Sequence, residues 1–304
     1  MSTNRRSSSS FGSYADGVIV RGMPLLTLYP GNVYWVDSNG GGSSKGTFAS
    51  PVATLAEGLA LCTASNGDIV CMKPGHAESS ATAIAINKAG VALLGLGIGS
   101  LRPTFTGTGA TDLFDVTAND VAIYNLIFKH TTANTTGSVN VGAEYTTISN
   151  CRFEQATTYG LQAVVIEYDS DDITVEDCEF YVLGEGPDSA IAIEKSTTSS
   201  PARLKILRNY FDGLNTTNSW DIGAIFCDGV ATNILVADNI INFCKASVGG
   251  IQFTAATTGV LLSNMVGGGT IDQMIDEGSC SNFLNRQVDT TNETAQPWPI
   301  ATAT

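Results

Sequence analysis

The sequence is short of charge, and of cations above all: charged residues are 14% of the 304, with 15 Lys and Arg against 29 Asp and Glu. Long solvent-facing helices laced by i,i+4 ion pairs are therefore excluded as the main architecture. The net charge of −14 sets most of the surface against a phosphate backbone, so nucleic acid is not expected as a partner. No run approaches the roughly 18 to 20 apolar residues of a membrane-spanning helix. The opening MSTNRRSSSS has two arginines with no apolar stretch behind them, so neither a membrane span nor a secretory signal is expected. Histidine occurs only as His76 and His130, and the seven cysteines (Cys62, Cys71, Cys151, Cys178, Cys227, Cys244 and Cys280) include no C-x-x-C pair. That leaves no zinc-ligand spacing and reads as reduced, buried thiols; no metal and no cofactor is expected.

What is plentiful is Gly, with Ser, Thr and Asn recurring throughout, the composition of many short strands joined by many turns. ITVEDCEF, residues 173–180, shows the pattern: Ile173, Val175, Cys178 and Phe180 alternate with polar residues, but the period of two slips at Glu176 and Asp177. Two alternating runs keep one inward face across such a slip only if the chain bends there. The same figure returns as VAIYNLIF from 121, TTISNCRF from 146, LKILRNYF from 204, ILVADNII from 234 and GVLLSNMV from 259. Its last apolar positions, Phe128, Phe153, Phe180, Phe211, Ile241 and Val266, are by subtraction 25, 27, 31, 30 and 25 residues apart.

A repeat of that length, built of strands and corners with no helical period, predicts a parallel β-helix in which each repeat is one rung. Rungs about 4.8 Å apart put like side chains over like, here a Phe column continued by Ile and Val. The position after the corner reads Leu126, Cys151, Cys178, Asn209, Asn239, Asn264 and faces inward; its three asparagines predict an amide ladder. Cys178 then faces the core, Glu176 and Glu179 face solvent, and Asp177 turns the corner. Cys151 and Cys178 fall within bridging range, but nothing points to an oxidising compartment.

The open end of such a coil needs a cover. SPVATLAEGLALCTAS supplies one: with Ser50 as N-cap, Pro51 at the first helical position and Val52, Leu55, Leu59 and Leu61 or Cys62 on one side, it predicts a helix over residues 51–64.

The run YWVDSNGGGSSKGTFASPVATLAEGLALCTASNGDIVCMKPGHAES, residues 34–80, followed by these rungs, resembles the pectate-lyase-like right-handed β-helix proteins that tailed bacteriophages carry as virion components. The likeness covers roughly residues 34 to 275. It implies an all-β, right-handed single-stranded parallel β-helix with a short N-terminal capping helix and extended terminal arms. The divisions are an N-terminal arm (1–33), a lead-in segment and capping helix (34–66), the parallel β-helix (67–275), and a C-terminal cap and extended tail (276–304). The arm 1–33 carries Arg5, Arg6 and Arg21 against Asp16, a local charge of +2 on an acidic protein, as an attachment segment would.

Parallel β-helices also carry polysaccharide lyases and hydrolases, so each candidate side chain needs weighing. EYDSDD, with Glu167, Asp169, Asp171 and Asp172, could divide acid and base roles on a sugar; with no basic residue nearby in sequence, a solvated loop is the reading preferred. DSNGGG from Asp37 reads as a turn rather than a calcium loop, and His76 in KPGHAES as a corner side chain rather than an acid–base partner of Glu78. His130 reads as surface. The two longest rungs predict protruding loops near GEGPDS, STTSSPAR and DGLNTTNSW, where Trp220 could stack on a sugar or pack beneath its own loop.

These readings give no catalytic, cofactor-binding or metal residues. The function they imply is a non-enzymatic virion protein on the particle surface, made in the host cytoplasm: a capsid decoration, head fibre or tail appendage, partnered by other virion proteins and by itself, as a trimer. The alternatives are a tailspike-type polysaccharide depolymerase, with Asp169, Asp171 or Asp172 as its reactive groups, and a protein that recognises a cell-surface glycan.

Overall fold

The computed structural model describes residues 31–288 apart from 41–44, 133–136, 157–160, 185, 195–198, 246–247, 255 and 269–273, together with the strand segments Ile19–Val20, Met23–Pro24 and Ala295–Pro297. The slip inside each octet is a residue with left-handed backbone: Asn125, Asn150, Asp177, Arg208, Asp238 and Ser263 have φ between 54° and 59°. Asn and Asp tolerate that conformation best, which is why they recur there. Each corner N–H donates to the next rung, as Asn125 to Ser149 O, Asn150 to Glu176 O and Asp177 to Leu207 O, all at 3.1 Å. The bend thus fastens the rungs together as well as turning the chain.

Among the described residues, strands before the corner form a first wall of ten, strands after it a second wall of nine that Ala295–Pro297 extends to ten, and a third wall of eight closes each rung. Within the walls, from Val33–Val36 to Arg286–Val288, every rung-to-rung pairing is parallel with the next rung of the coil. In the first wall Ile123 lies beside Ile148 and Ile148 beside Val175; in the second Phe128, Phe153, Phe180 and Phe211 follow one another. The chain is an all-β, right-handed parallel β-helix. Third-wall strands such as Gly137–Val141, Gln162–Ile166 and Ser189–Ile193 pair Val141 with Ile166 and Ile166 with Ile193.

Stacking fills the interior. Phe105, Phe128, Phe153, Phe180 and Phe211 form a continuous column, the last three intervals spanning 4.7 to 5.0 Å between ring centroids with planes within 10°. The amide ladder runs through Asn209, Asn239 and Asn264 and on to Asn285. Asn239 Oδ1 accepts from Asn209 N at 2.9 Å, while Asn239 Nδ2 donates to Ile206 O and to Asn264 Oδ1, both at 2.9 Å. Asn285 Oδ1 takes the same role toward Asn264. Cys151 and Cys178 continue the column as free, buried thiols, with Cys151 N–H donating to Cys178 Sγ at 3.4 Å.

Three local expectations need correction. The helix is Leu55–Leu61, shorter than 51–64, and its N-cap is Thr54 rather than Ser50. Thr54 and Glu57 form a reciprocal capping box, while Val52 is drawn off by pairing with Val36 and Ser50 by pairing with Thr47, so Pro51 and Val52 never enter the helix. Leu55 and Leu59 still reach the core, and Gly58 lets the helix sit down on Val36 and Val70. Glu176 points outward but is 6% exposed, because Arg208 from the next rung reaches back to it at 3.0 Å. His130, expected at the surface, is buried against the space left by Gly107, where any Cβ would strike its ring.

A second left-handed column turns the chain from the third wall into the first. Gly67, Gly90, Asp120, Tyr145, Asp172, Arg203 and Asn233, with φ from 56° to 71°, each stand two residues before a paired first-wall position, from Ile69 to Leu235. The arms lie outside the described residues except for a two-stranded antiparallel hairpin, Ile19–Val20 with Met23–Pro24, and Ala295–Pro297, which pairs antiparallel with Arg286–Val288.

Candidate functional site

The outer face of the third wall gathers partly desolvated carboxyl groups. Phe114 and Val116 point inward, so Asp115 between them points out; in the next rung Asn140 takes the same place. Just past these strands come Gly142, Glu167 and Glu194, in register in three successive rungs because Val141, Ile166 and Ile193 are paired. Asn140 Nδ2 donates to Glu167 Oε1 at 2.7 Å. A Cβ on Gly142 would lie 2.8 Å from Glu167 Oε2, so the glycine leaves the room this carboxylate occupies. Asp112 is fixed at the strand's start by Gly137 N–H, which donates to its Oδ1 at 2.7 Å.

Two carboxyls on this face, Asp115 and Glu194, have raised proton affinity. Glu194 is exposed at the end of its rung, yet partial desolvation pushes its carboxyl up, with Glu167 and then Asp112 adding to the effect. Asp115 is raised by burial and by Asp112. A rung-spanning set of carboxyls therefore includes one whose proton affinity is raised, beside another held by an amide. Such a pair can protonate a leaving group with one member and act as base or nucleophile with the other. Among the described residues no three His, Cys, Asp or Glu side chains converge to hold a metal ion.

Of the residues singled out by sequence, only Glu167 belongs to this face. Asp169 is exposed in the following loop. Asp171 and Asp172 are clasped by Arg203, 31 residues on: Nε reaches Asp172 Oδ1 at 2.9 Å, and Nη2 reaches Asp172 Oδ2 at 2.7 Å and Asp171 Oδ2 at 2.9 Å. The absence of a nearby cation was thus true along the chain and false in space. Arg203 holds Asp172 below the usual carboxylate range.

DSNGGG does turn the chain, Asp37 Oδ1 accepting from Asn39 N at 3.0 Å; residues 41–44 lie outside the described set. The His76–Glu78 pair that sequence set aside is formed: His76, 1% exposed, lies 3.2 Å from Glu78 Oε2, which also accepts from Leu55 N–H at 2.8 Å and so ties the capping helix to the coil. His130 Nε2 lies 3.0 Å from Ser138 Oγ, and burial pushes its pKa down to about 4. Trp220 is buried, edge-on to Phe211, and donates to Gln155 Oε1 at 3.0 Å, so it packs beneath its own loop and presents nothing to a sugar. Parts of GEGPDS and STTSSPAR lie outside the described residues.

Sequence reasoning missed Asp112, Asp115, Asn140 and Glu194. A signal was present: aligning the apolar runs SVNVG, AVVIE and AIAIE places Gly142, Glu167 and Glu194 in one column.

No protein-family model matches the sequence, and no curated protein does. Solved structures do resemble it. The pectate lyase Pel9A aligns with a TM-score of 0.56 at 13% identity over 90% of this chain and 81% of its own. A rhamnogalacturonan lyase aligns at 0.51 and 12% over 84% and 87%. The GH136 lacto-N-biosidase of Eubacterium ramulus aligns at 0.50 and 10%, over 77% of this chain and 56% of that one. At such identity the likeness establishes the pectate-lyase-like parallel β-helix fold. It also counts against the expectation of a non-enzymatic protein, since the solved structures that share the coil include two lyases and a lacto-N-biosidase; at this identity it shows the fold and no activity of this chain.

Proposed function

We propose that the protein is a tailspike-type polysaccharide depolymerase, carried on a tailed-bacteriophage particle and directed at bacterial surface glycan. The observation that carries this reading is the carboxyl pair Glu167 and Glu194 on the third wall, in adjacent rungs and in unlike surroundings. Glu194, its carboxyl raised by partial desolvation and by the neighbouring Glu167, is the general acid; Glu167, oriented by Asn140, is the base or nucleophile. A carboxylate-lined face on a protein of net charge −14 repels a polyuronate, so the substrate is a neutral polysaccharide and the reaction glycosidic hydrolysis rather than elimination. Support for the particle setting comes from the lead-in segment 34–80 and its resemblance to phage β-helix proteins. Other virion proteins and further copies of the chain are the partners this setting implies.

The test is incubation of the full chain with neutral and uronate-rich bacterial polysaccharides, followed by size-exclusion chromatography. Chain shortening is expected on a neutral polymer and is lost in Glu194→Gln with the coil still folded. Shortening confined to polyuronates, or cleavage untouched by Glu194→Gln, overturns the assignment.

A further inference from the structure

The left-handed column leading into the first wall has a gap. Gly67 and Gly90 occupy it in adjacent rungs and carry no side chain, whereas the next two rungs place Asp120 and Tyr145 there. An open groove of about 470 Å³ lies here, with Gly67, Gly90, Asp120, Ala122, Tyr124 and Tyr145 among its lining residues. Binding clefts for small ligands run from roughly 300 to 1,000 Å³ and combine an apolar or aromatic surface with a few fixed polar groups.

Tyr145 is the unusual member. Its φ is 57°, a conformation that a bulky aromatic residue rarely adopts, and the residue is 52% exposed. Other rungs fill this corner with Gly, Asp or Asn, or with Arg203, which secures Asp171 and Asp172. A ring held in a strained backbone and left facing solvent gains nothing for the fold that Gly or Asn would not supply better, and such strain gathers at sites of function. The backbone around it is fixed: Tyr145 N–H donates to Asp171 O at 3.0 Å, and Asp120 N–H to Glu144 O at 3.1 Å.

We propose that this groove is a saccharide-binding subsite, separate from the third-wall carboxyls, that takes a neutral sugar unit of a glycan chain. The Tyr145 ring packs against the C–H face of a pyranose, and Asp120 accepts from ring hydroxyls, while the glycines let the sugar approach the backbone. A neutral unit is required because Asp120 opposes a uronate. The groove lies around the corner from the third wall, so it holds a chain without touching the bond to be cut, and its occupancy does not depend on the chemistry assigned there.

Binding of neutral hexose hexamers and of uronate hexamers to the full chain, followed by saturation-transfer NMR and titration, tests this. At least one neutral hexamer binds and Tyr145→Gly weakens it about tenfold. Gly suits φ 57° better than Tyr, so that variant melts no lower than the parent. Tyr145→Phe keeps the ring and the affinity. No binding by any neutral hexamer, equal affinity in Tyr145→Gly, or uronates binding as tightly as neutral chains would overturn the proposal. Loss of cleavage in Glu194→Gln with this binding intact separates it from the third-wall reading.

Discussion

Replacing Phe180 by Ala removes the middle of a stack. The Phe180 ring is fully buried, with Phe153 at 4.9 Å and Phe211 at 4.7 Å, nearly parallel to both. A buried Phe→Ala change costs about 3–5 kcal/mol, and the loss of two well-stacked neighbours at about 0.5–1.5 kcal/mol each places this one near the top, at about 4–5 kcal/mol. The cavity cannot collapse, because rungs above and below are held at strand spacing by backbone hydrogen bonds through the second wall. At about 2–4 °C per kcal/mol for a chain of this class, the melting midpoint falls by about 8–20 °C. Circular dichroism melts at fixed pH measure it, with Glu179→Ala as the control: the adjacent residue points outward, its side chain 41% exposed and 3.9 Å from Arg102. That change should stay within about 0.5 kcal/mol. A Phe180→Ala drop below about 3 °C, or matching drops in the two variants, would refute the inward column.

Asn239→Ala strands the Asn209 N–H and takes the amide donor from the Ile206 carbonyl and from Asn264 Oδ1, which keeps only the residue 239 N–H, so urea unfolding should show a loss of about 2–4 kcal/mol; a loss under 1 kcal/mol would mean the ladder is not a structural element. Leu284 sits at φ 56° and is 79% exposed, so Leu284→Asn should raise stability by up to about 1 kcal/mol in the same assay, and a decrease would count against the corner assignment. His130 is neutral in the coil with a pKa of about 4 but near 6.5 when unfolded, so protons favour the unfolded chain. Its contribution is intact above pH 6.5 and is lost as pH falls from there to about 4, by up to about 3 kcal/mol. His130→Gln should flatten that part of the stability–pH curve; an unchanged curve would place the ring in solvent.

The coil was readable because its two strongest signals are local. The octet states its own alternation and its own slip, and corner residues such as Asn150 and Asp177 are of the type the left-handed backbone prefers. The amide ladder followed from the same alignment, although Asn285, only 21 residues past Asn264, escaped it because the last rung is shorter. What sequence could not show is contact between rungs whose loops differ in length. Asn140 and Glu167 are 27 residues apart, Asp172 and Arg203 31, Glu176 and Arg208 32, and none of these pairings can be read from neighbours in the chain. The octet also omits the third wall, whose strands lie between copies of the motif, and so the carboxyl face remained scattered until the rungs were stacked. His130 was misjudged for a related reason: the glycine that makes room for it, Gly107, belongs to the rung before.

The assignment of function rests on which carboxyls work. Initial rates of glycosidic-bond cleavage on the neutral polysaccharide that the wild-type chain shortens should be compared for Glu194→Gln and Asp169→Asn, both with wild-type melting. Loss of about 10²–10⁴-fold in Glu194→Gln, with Asp169→Asn within about twofold of wild type, is the result expected of a general acid on the third wall. Equal rates in the two variants, or loss in Asp169→Asn alone, would contradict it.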